Sequence, residues 1–140
     1  PMSSEQNKAI VRRNYDELWN QRKFDLVDEL YAPDSVSTGA GGDRSPGPDG
    51  FKQLMQSYLS GFPDLRFTIE TMIAEGNYVA TIWEVSGTYQ GGILNLPASA
   101  IGKRTKQRGV TVNRLENDKI VEGFNSMDQL EMLKNLSVMG

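Results

Sequence analysis

The chain has 140 residues, enough for one domain that buries about two thirds of its unfolded surface and too few for a second. Hydrophobic residues make up 38% and charged ones 24%, as in globular proteins, and no apolar run approaches the roughly 20 residues that cross a bilayer, so no membrane partner is expected. With no cysteine and no histidine, disulfides, thiolate metal sites and every Ser-His-Asp or Cys-His mechanism are excluded, and a net charge of −3 argues against nucleic acid as a partner.

Acid–base chemistry is left to Asp, Glu, Lys or Tyr, and a zinc site is not expected. The opening residues Pro1-Met2-Ser3-Ser4-Glu5 lack the charged-then-apolar layout of a secretory leader, which predicts a cytoplasmic location. From Ser4 to about Asn20, Val11, Tyr15, Leu18 and Trp19 share one face of an amphipathic helix. Phe24, Val27, Leu30 and Tyr31 continue at near-helical spacing in a second, shorter helix that Pro33 should end.

Between Asp34 and Gly50 the pattern dissolves into a short predicted strand at Ser35–Thr38 and a glycine-rich loop without the lysine of a phosphate cradle. Pro48 then opens a third helix with Phe51, Leu54, Met55, Tyr58 and Leu59 on one face and Gly61 as its stop. After Gly61 the period becomes alternating. Leu65, Phe67, Ile69, Thr71 and Ile73 share one strand face, Glu75-Gly76-Asn77 reverses the chain, and Val79, Thr81, Trp83 and Val85 share the next. Gly91–Gly102 is a loop, and a strand resumes over Thr105–Leu115. Its run Lys103, Arg104, Lys106, Arg108 reads as a solvated edge or loop, with anion contact as the alternative.

Glu116-Asn117-Asp118 turns the chain into a last strand over Lys119–Asp128, and Leu130, Leu133 and Leu136 mark a short terminal helix. Three helices followed by long antiparallel strands predict an α+β fold, a cone-shaped curved antiparallel sheet whose concave face the helices cover. The unfilled part of such a cone is a ligand pocket. Trp19, Met55, Tyr58, Trp83 and Phe124 are candidates to line it, with core packing as the alternative for each.

The stretches NYDELWNQRKFDLVDELYAPD, GFPDLRFTIETMIAEGNYVA, GTYQG and NRLENDKIVEGFNSMDQLEMLKNLSVMG resemble, in order and across nearly the whole chain, the SnoaL-like polyketide cyclases of the nuclear transport factor two-like superfamily. That resemblance implies an α+β barrel, a homo-oligomer (dimer or tetramer), a hydrophobic small-molecule substrate, and ring closure without cofactor or metal. An acidic residue near the end of the last strand acts as general acid/base in that family, and Asp128 matches it. Where family members carry histidine, this chain has Thr38 after the Tyr-Ala-Pro-Asp motif, Tyr89 in the Gly-Thr motif, and Arg114 on the strand before the acid. Phe124 stands where tryptophan is usual.

Asp128 has two readings. As a base in an apolar setting, it would take a proton from a carbon next to a carbonyl, with Tyr89 or Arg114 stabilising the enolate oxygen, and Glu122 is an alternative acid on the same strand face. As a helix cap, it would open Asp128-Gln129-Leu130-Glu131, the pattern of a capping box, and lose basicity to backbone amides. A cyclase or isomerase, a non-catalytic small-molecule binder and a purely structural subunit all remain open on the sequence.

Overall fold

The computed structural model describes residues 3–39, 42 and 44–138. Ala40, Gly41 and Asp43 of the glycine-rich loop, and both chain ends, lie outside the described residues. Helix α1 (Ser4–Arg13) starts on a capping box: the Ser3 hydroxyl accepts the Gln6 amide, and the Gln6 side chain accepts the Ser3 amide. It runs directly into a π-helical turn, Asn14–Trp19, in which the Asn20 amide reaches back to the Tyr15 carbonyl. Helix α2 is only Leu26–Leu30. The chain leaves helix three residues before Pro33, because Tyr31 already begins strand β1 (Tyr31–Thr38).

Strand β2 (Arg44–Pro46) leads into α3 (Gly47–Gly61), and the rest is strand: β3 (Arg66–Glu75), β4 (Tyr78–Thr88), β5 (Arg104–Glu116) and β6 (Lys119–Met127), followed by α4 (Gln129–Asn135). The strands form one six-stranded sheet in the order β2-β1-β6-β5-β4-β3. Every pairing is antiparallel except β1 with β6, which is parallel. The sheet is curved and open, an α+β cone with its concave side covered by α1, the π-turn, α2 and α3.

Two bulges decide which side chains face inward. In β3 the pairing passes from Ile69–Trp83 to Thr71–Ile82, so Glu70 is the extra residue. The predicted face Phe67, Ile69, Thr71, Ile73 therefore breaks: Met72 and Ala74 pack on the core, and Ile73 is 61% exposed. In β6 the pairing passes from Arg114–Glu122 to Leu115–Ile120, which makes Val121 the extra residue. Ile120 faces the core, but beyond the bulge the inward residues are Gly123, Asn125 and Met127, while Glu122, Phe124 and Ser126 turn outward. β4 keeps the predicted phase, with Val79, Thr81, Trp83 and Val85 all buried.

β5 is an interior strand, so its basic residues do not guard an edge. Arg104, Lys106 and Arg108 alternate on its outer face, and each meets a carboxylate: Asp64 at 3.5 Å, Glu84 at 3.4 Å and Glu70 at 2.6 Å. Among the described residues no helix is long and apolar enough to cross a membrane.

Candidate active site

The cone encloses a cavity of about 310 Å³ whose lining includes Leu94 and Leu96 of the segment after β4 and Gln129, Met132 and Leu133 of α4. Its helix side carries Tyr15 and Trp19 from the π-turn and Phe51, Leu54 and Tyr58 from α3. The π-turn matters because its wide winding places Asn14, Tyr15 and Trp19 together on the buried side. Opposite them stand Phe67, Trp83 and Val85 of β3 and β4. Edge-to-face contacts at 5.3 Å (Trp19–Phe67) and 5.1 Å (Phe67–Trp83) fix this aromatic wall.

The third side is polar and uncharged. β5 presents Thr105, Gln107, Thr111 and Asn113 inward, all buried, with Asn125 of β6 and Ser37 of β1 beside them. The Trp83 indole N–H donates to the Thr111 hydroxyl at 2.8 Å, which donates to Asn125 Oδ1 at 2.5 Å, and the Asn125 amide donates to the Thr38 carbonyl at 2.8 Å. The Tyr31 hydroxyl donates to Asn14 Oδ1 at 2.6 Å. Among the described residues Asn113 Oδ1 has no hydrogen-bond partner, and the Tyr15 hydroxyl has none at full hydrogen-bond geometry although Thr81, Trp83 and Thr111 lie beside it.

No Asp, Glu, Lys or Arg is among the described residues that line the cavity. Its ionisable groups are phenols. Burial pushes Tyr15 up to about 12, partly offset by the neighbouring Thr111, Thr81 and Trp83, and burial also pushes Tyr31 well above the usual phenol value. Both stay protonated near neutral pH and serve as hydrogen-bonding groups, not as bases. Among the described residues no cluster of three or more metal-ligating side chains occurs.

The structure brings together Trp19, Tyr58 and Trp83 from the expected set, all on the cavity wall. It places the others elsewhere. Asp128 is exposed and caps α4, its Oδ1 accepting the Glu131 amide at 3.0 Å. Arg114 lies on the outer face of β5, paired with Glu116 at 2.7 Å and Glu122 at 3.7 Å, because even-numbered residues of β5 point away from the cone. Asn113, one residue earlier, is the inward neighbour. Tyr89 is buried against Phe62 with its hydroxyl donating to the Ile93 carbonyl, which ties down the segment after β4. Phe124 is 56% exposed, turned outward by the Val121 bulge, and Glu122 is exposed on the same outer face. Met55 is wholly buried in the core behind the wall. Thr38 reaches the site only through its carbonyl; Tyr31 and Ser37 are the residues of β1 that line the cavity.

Gln107, Thr111, Asn113 and Asn125 escaped notice because polar residues in strands read as a solvent face, and Asn14 because a polar residue in a helix does. A signal exists nonetheless. In Arg104–Arg114 the charged residues fall on even positions and the neutral polar ones on odd positions, and only the neutral set suits a buried wall.

Comparison with known proteins agrees with this geometry. The family model of the SnoaL-like polyketide cyclases matches residues 9–136, and the chain belongs to that family. Among solved structures, a candidate SnoaL-like polyketide cyclase from Jannaschia sp. CCS1 superimposes with a TM-score of 0.87 at 24% identity, covering 100% of this chain and 99% of that one. IdmH, a candidate polyketide cyclase from Streptomyces antibioticus, gives 0.79 at 26% identity over 94% and 99% of the two chains. AclR, a candidate hydroxylase from Streptomyces galilaeus, gives 0.82 at 23% identity over 99% and 89%. The fold is thus of the nuclear transport factor two-like kind. No protein with a curated description matches the chain.

Proposed function

We propose that the protein binds an uncharged, mainly apolar small molecule carrying a few carbonyl or hydroxyl oxygens, and holds it in one conformation inside the cone. The observation that carries this reading is the wall itself: aromatic and aliphatic on two sides, neutral amides and hydroxyls on the third, with no charged side chain among its described residues. A buried ionised ligand would lose its hydration without finding a counter-charge, whereas a carbonyl or hydroxyl would find hydrogen-bond partners. Folding a flexible chain into a ring-closing conformation is the positioning part of a cyclase's work, and it needs no wall-borne base.

Trp19 and Trp83 are the two tryptophans of the chain and both line the cavity, so intrinsic fluorescence reports its occupancy. Titration at pH 7 with 1-naphthol should quench that fluorescence saturably, and the anion of 1-naphthoic acid should bind at least 10-fold more weakly. An acid that binds as well as the alcohol, or the absence of saturable quenching by either, sinks this reading.

A second reading keeps Asp128 as general acid/base for proton abstraction beside a carbonyl, followed by ring closure or isomerisation. What favours it is position: Asp128 lies between Met127 and Gln129, both of which line the cavity. A change of side-chain rotamer that gives up the Glu131 amide would bring the carboxylate to a ligand there. The fold family's homo-oligomer is part of the same proposal, with a second copy covering the outer sheet face.

A further inference from the structure

Gly109 lies in the middle of β5, directly opposite Trp83 of β4 in the antiparallel register, and both face the cone. A Cβ at position 109 would stand 2.7 Å from Trp83 Cζ2, closer still to Cη2, and 2.7 Å from the Ser126 carbonyl oxygen. Carbon atoms in contact sit at about 3.5–4.0 Å, so any side chain at 109 would lift the indole by on the order of 1 Å. The indole occupies the space that the missing side chain leaves. Its N–H donates to Thr111, the next inward residue of β5, so the ring lies along the strand from 109 to 111. Phe67 stands edge-on against its other side, at 5.1 Å between centroids.

We propose that Gly109 and Trp83 together set the upper size limit of the ligand: the recess at 109 lets the indole lie flat on the sheet, and the depth of the cavity follows from that recess. Ordinary strand packing explains why an aromatic covers a glycine across a sheet. It does not require that the covering ring also form the cavity wall, and here it does. In a cavity of about 310 Å³, a ring raised into the lumen removes room that a larger ligand needs and a smaller one does not. This inference rests on the reading of the cavity as a small-molecule site.

Equilibrium dialysis with two neutral probes, two-ring 1-naphthol and three-ring 9-phenanthrol, tests it in the full chain at pH 7. The wild type should bind both. Gly109→Ala should hold 1-naphthol within about 3-fold and lose at least 10-fold on 9-phenanthrol, and the double variant Trp83→Phe, Gly109→Ala should regain most of that loss. The Ser126 carbonyl meets the new methyl in both variants, so their difference reads the indole alone. Should Gly109→Ala fail to fold, Trp83→Phe by itself should shift selectivity at least 3-fold toward 9-phenanthrol. An unchanged ratio in Gly109→Ala or Trp83→Phe, or a double variant as weak as Gly109→Ala, overturns the proposal while leaving the small-molecule reading intact. A wild type that binds neither probe overturns both.

Discussion

One oxygen of the Asp128 carboxylate is committed to the Glu131 amide, and the side chain is exposed to solvent. A cap of this kind is worth about 1 kcal/mol when Ala replaces it, and Asn serves nearly as well as Asp. Asp128→Ala should therefore lower the unfolding free energy by about 1 kcal/mol in urea titrations, while Asp128→Asn should leave it within a few tenths. On the positioning reading neither variant changes 1-naphthol binding. If Asp128→Asn abolishes turnover of an identified substrate while stability and binding stay intact, the carboxylate is the base and the second reading replaces the first. The sequence Asp128-Gln129-Leu130-Glu131 made the cap visible, because capping is local grammar. That the same residue misses the cavity wall depends on the direction of a side chain at a strand end, which no local pattern states.

At the scale of elements, a one-residue bulge outweighs a whole alternating pattern. The bulge at Val121 sends Phe124 and Glu122 out and brings Asn125 in, and the bulge at Glu70 does the same to Ile73 and Met72. The π-turn acts similarly on the helical side by placing the Tyr15 phenol among buried groups. That burial has a measurable consequence. The folded chain keeps the Tyr15 proton up to about 12, while an unfolded tyrosine loses it near 10. Between those values the unfolded state binds fewer protons than the native state, so stability is unaffected below about pH 10 and falls as pH rises toward 12. The loss should be on the order of 2–3 kcal/mol from this group, with Tyr31 adding to it in the same direction. Urea unfolding from pH 9 to 12 should show a clearly shallower decline for Tyr15→Phe than for the wild type. Identical slopes would show that Tyr15 is not the buried acid that the fold makes it.

For the whole molecule, the outer sheet face is the surface that one chain leaves uncovered. Phe124, Val112, Ala80 and Ile73 fall in one cross-strand row, with Phe124 at 56% and Ile73 at 61% exposure. The row Glu122, Arg114, Tyr78 and Glu75 beside it is mostly charged. A second copy meeting the apolar row would bury side chains that otherwise face water. Light scattering after size exclusion should report a dimer or tetramer for the wild type and a smaller assembly for Phe124→Glu. A wild type that runs as a monomer would refute the oligomer proposal.

Composition and periodicity determined the α+β class and excluded histidine and cysteine chemistry, and the resemblance of the chain's motifs to the cyclase family supplied the rest. These are local or additive properties, and each is read from residues close together in the chain. The tertiary structure alone decided the parallel pairing of β1 with β6, the two bulges, and which parity of β5 faces the cone. Each of those depends on the strand paired alongside, whether a hairpin neighbour, as at the Val121 bulge, or a strand from the other end of the chain, as for β1 and β6. They left the expected Trp19, Tyr58 and Trp83 on the cavity wall, placed Asp128, Arg114, Tyr89 and Phe124 off it, and put Thr111, Asn113 and Asn125 on it, because a side chain's face is fixed by the register of the strand beside it.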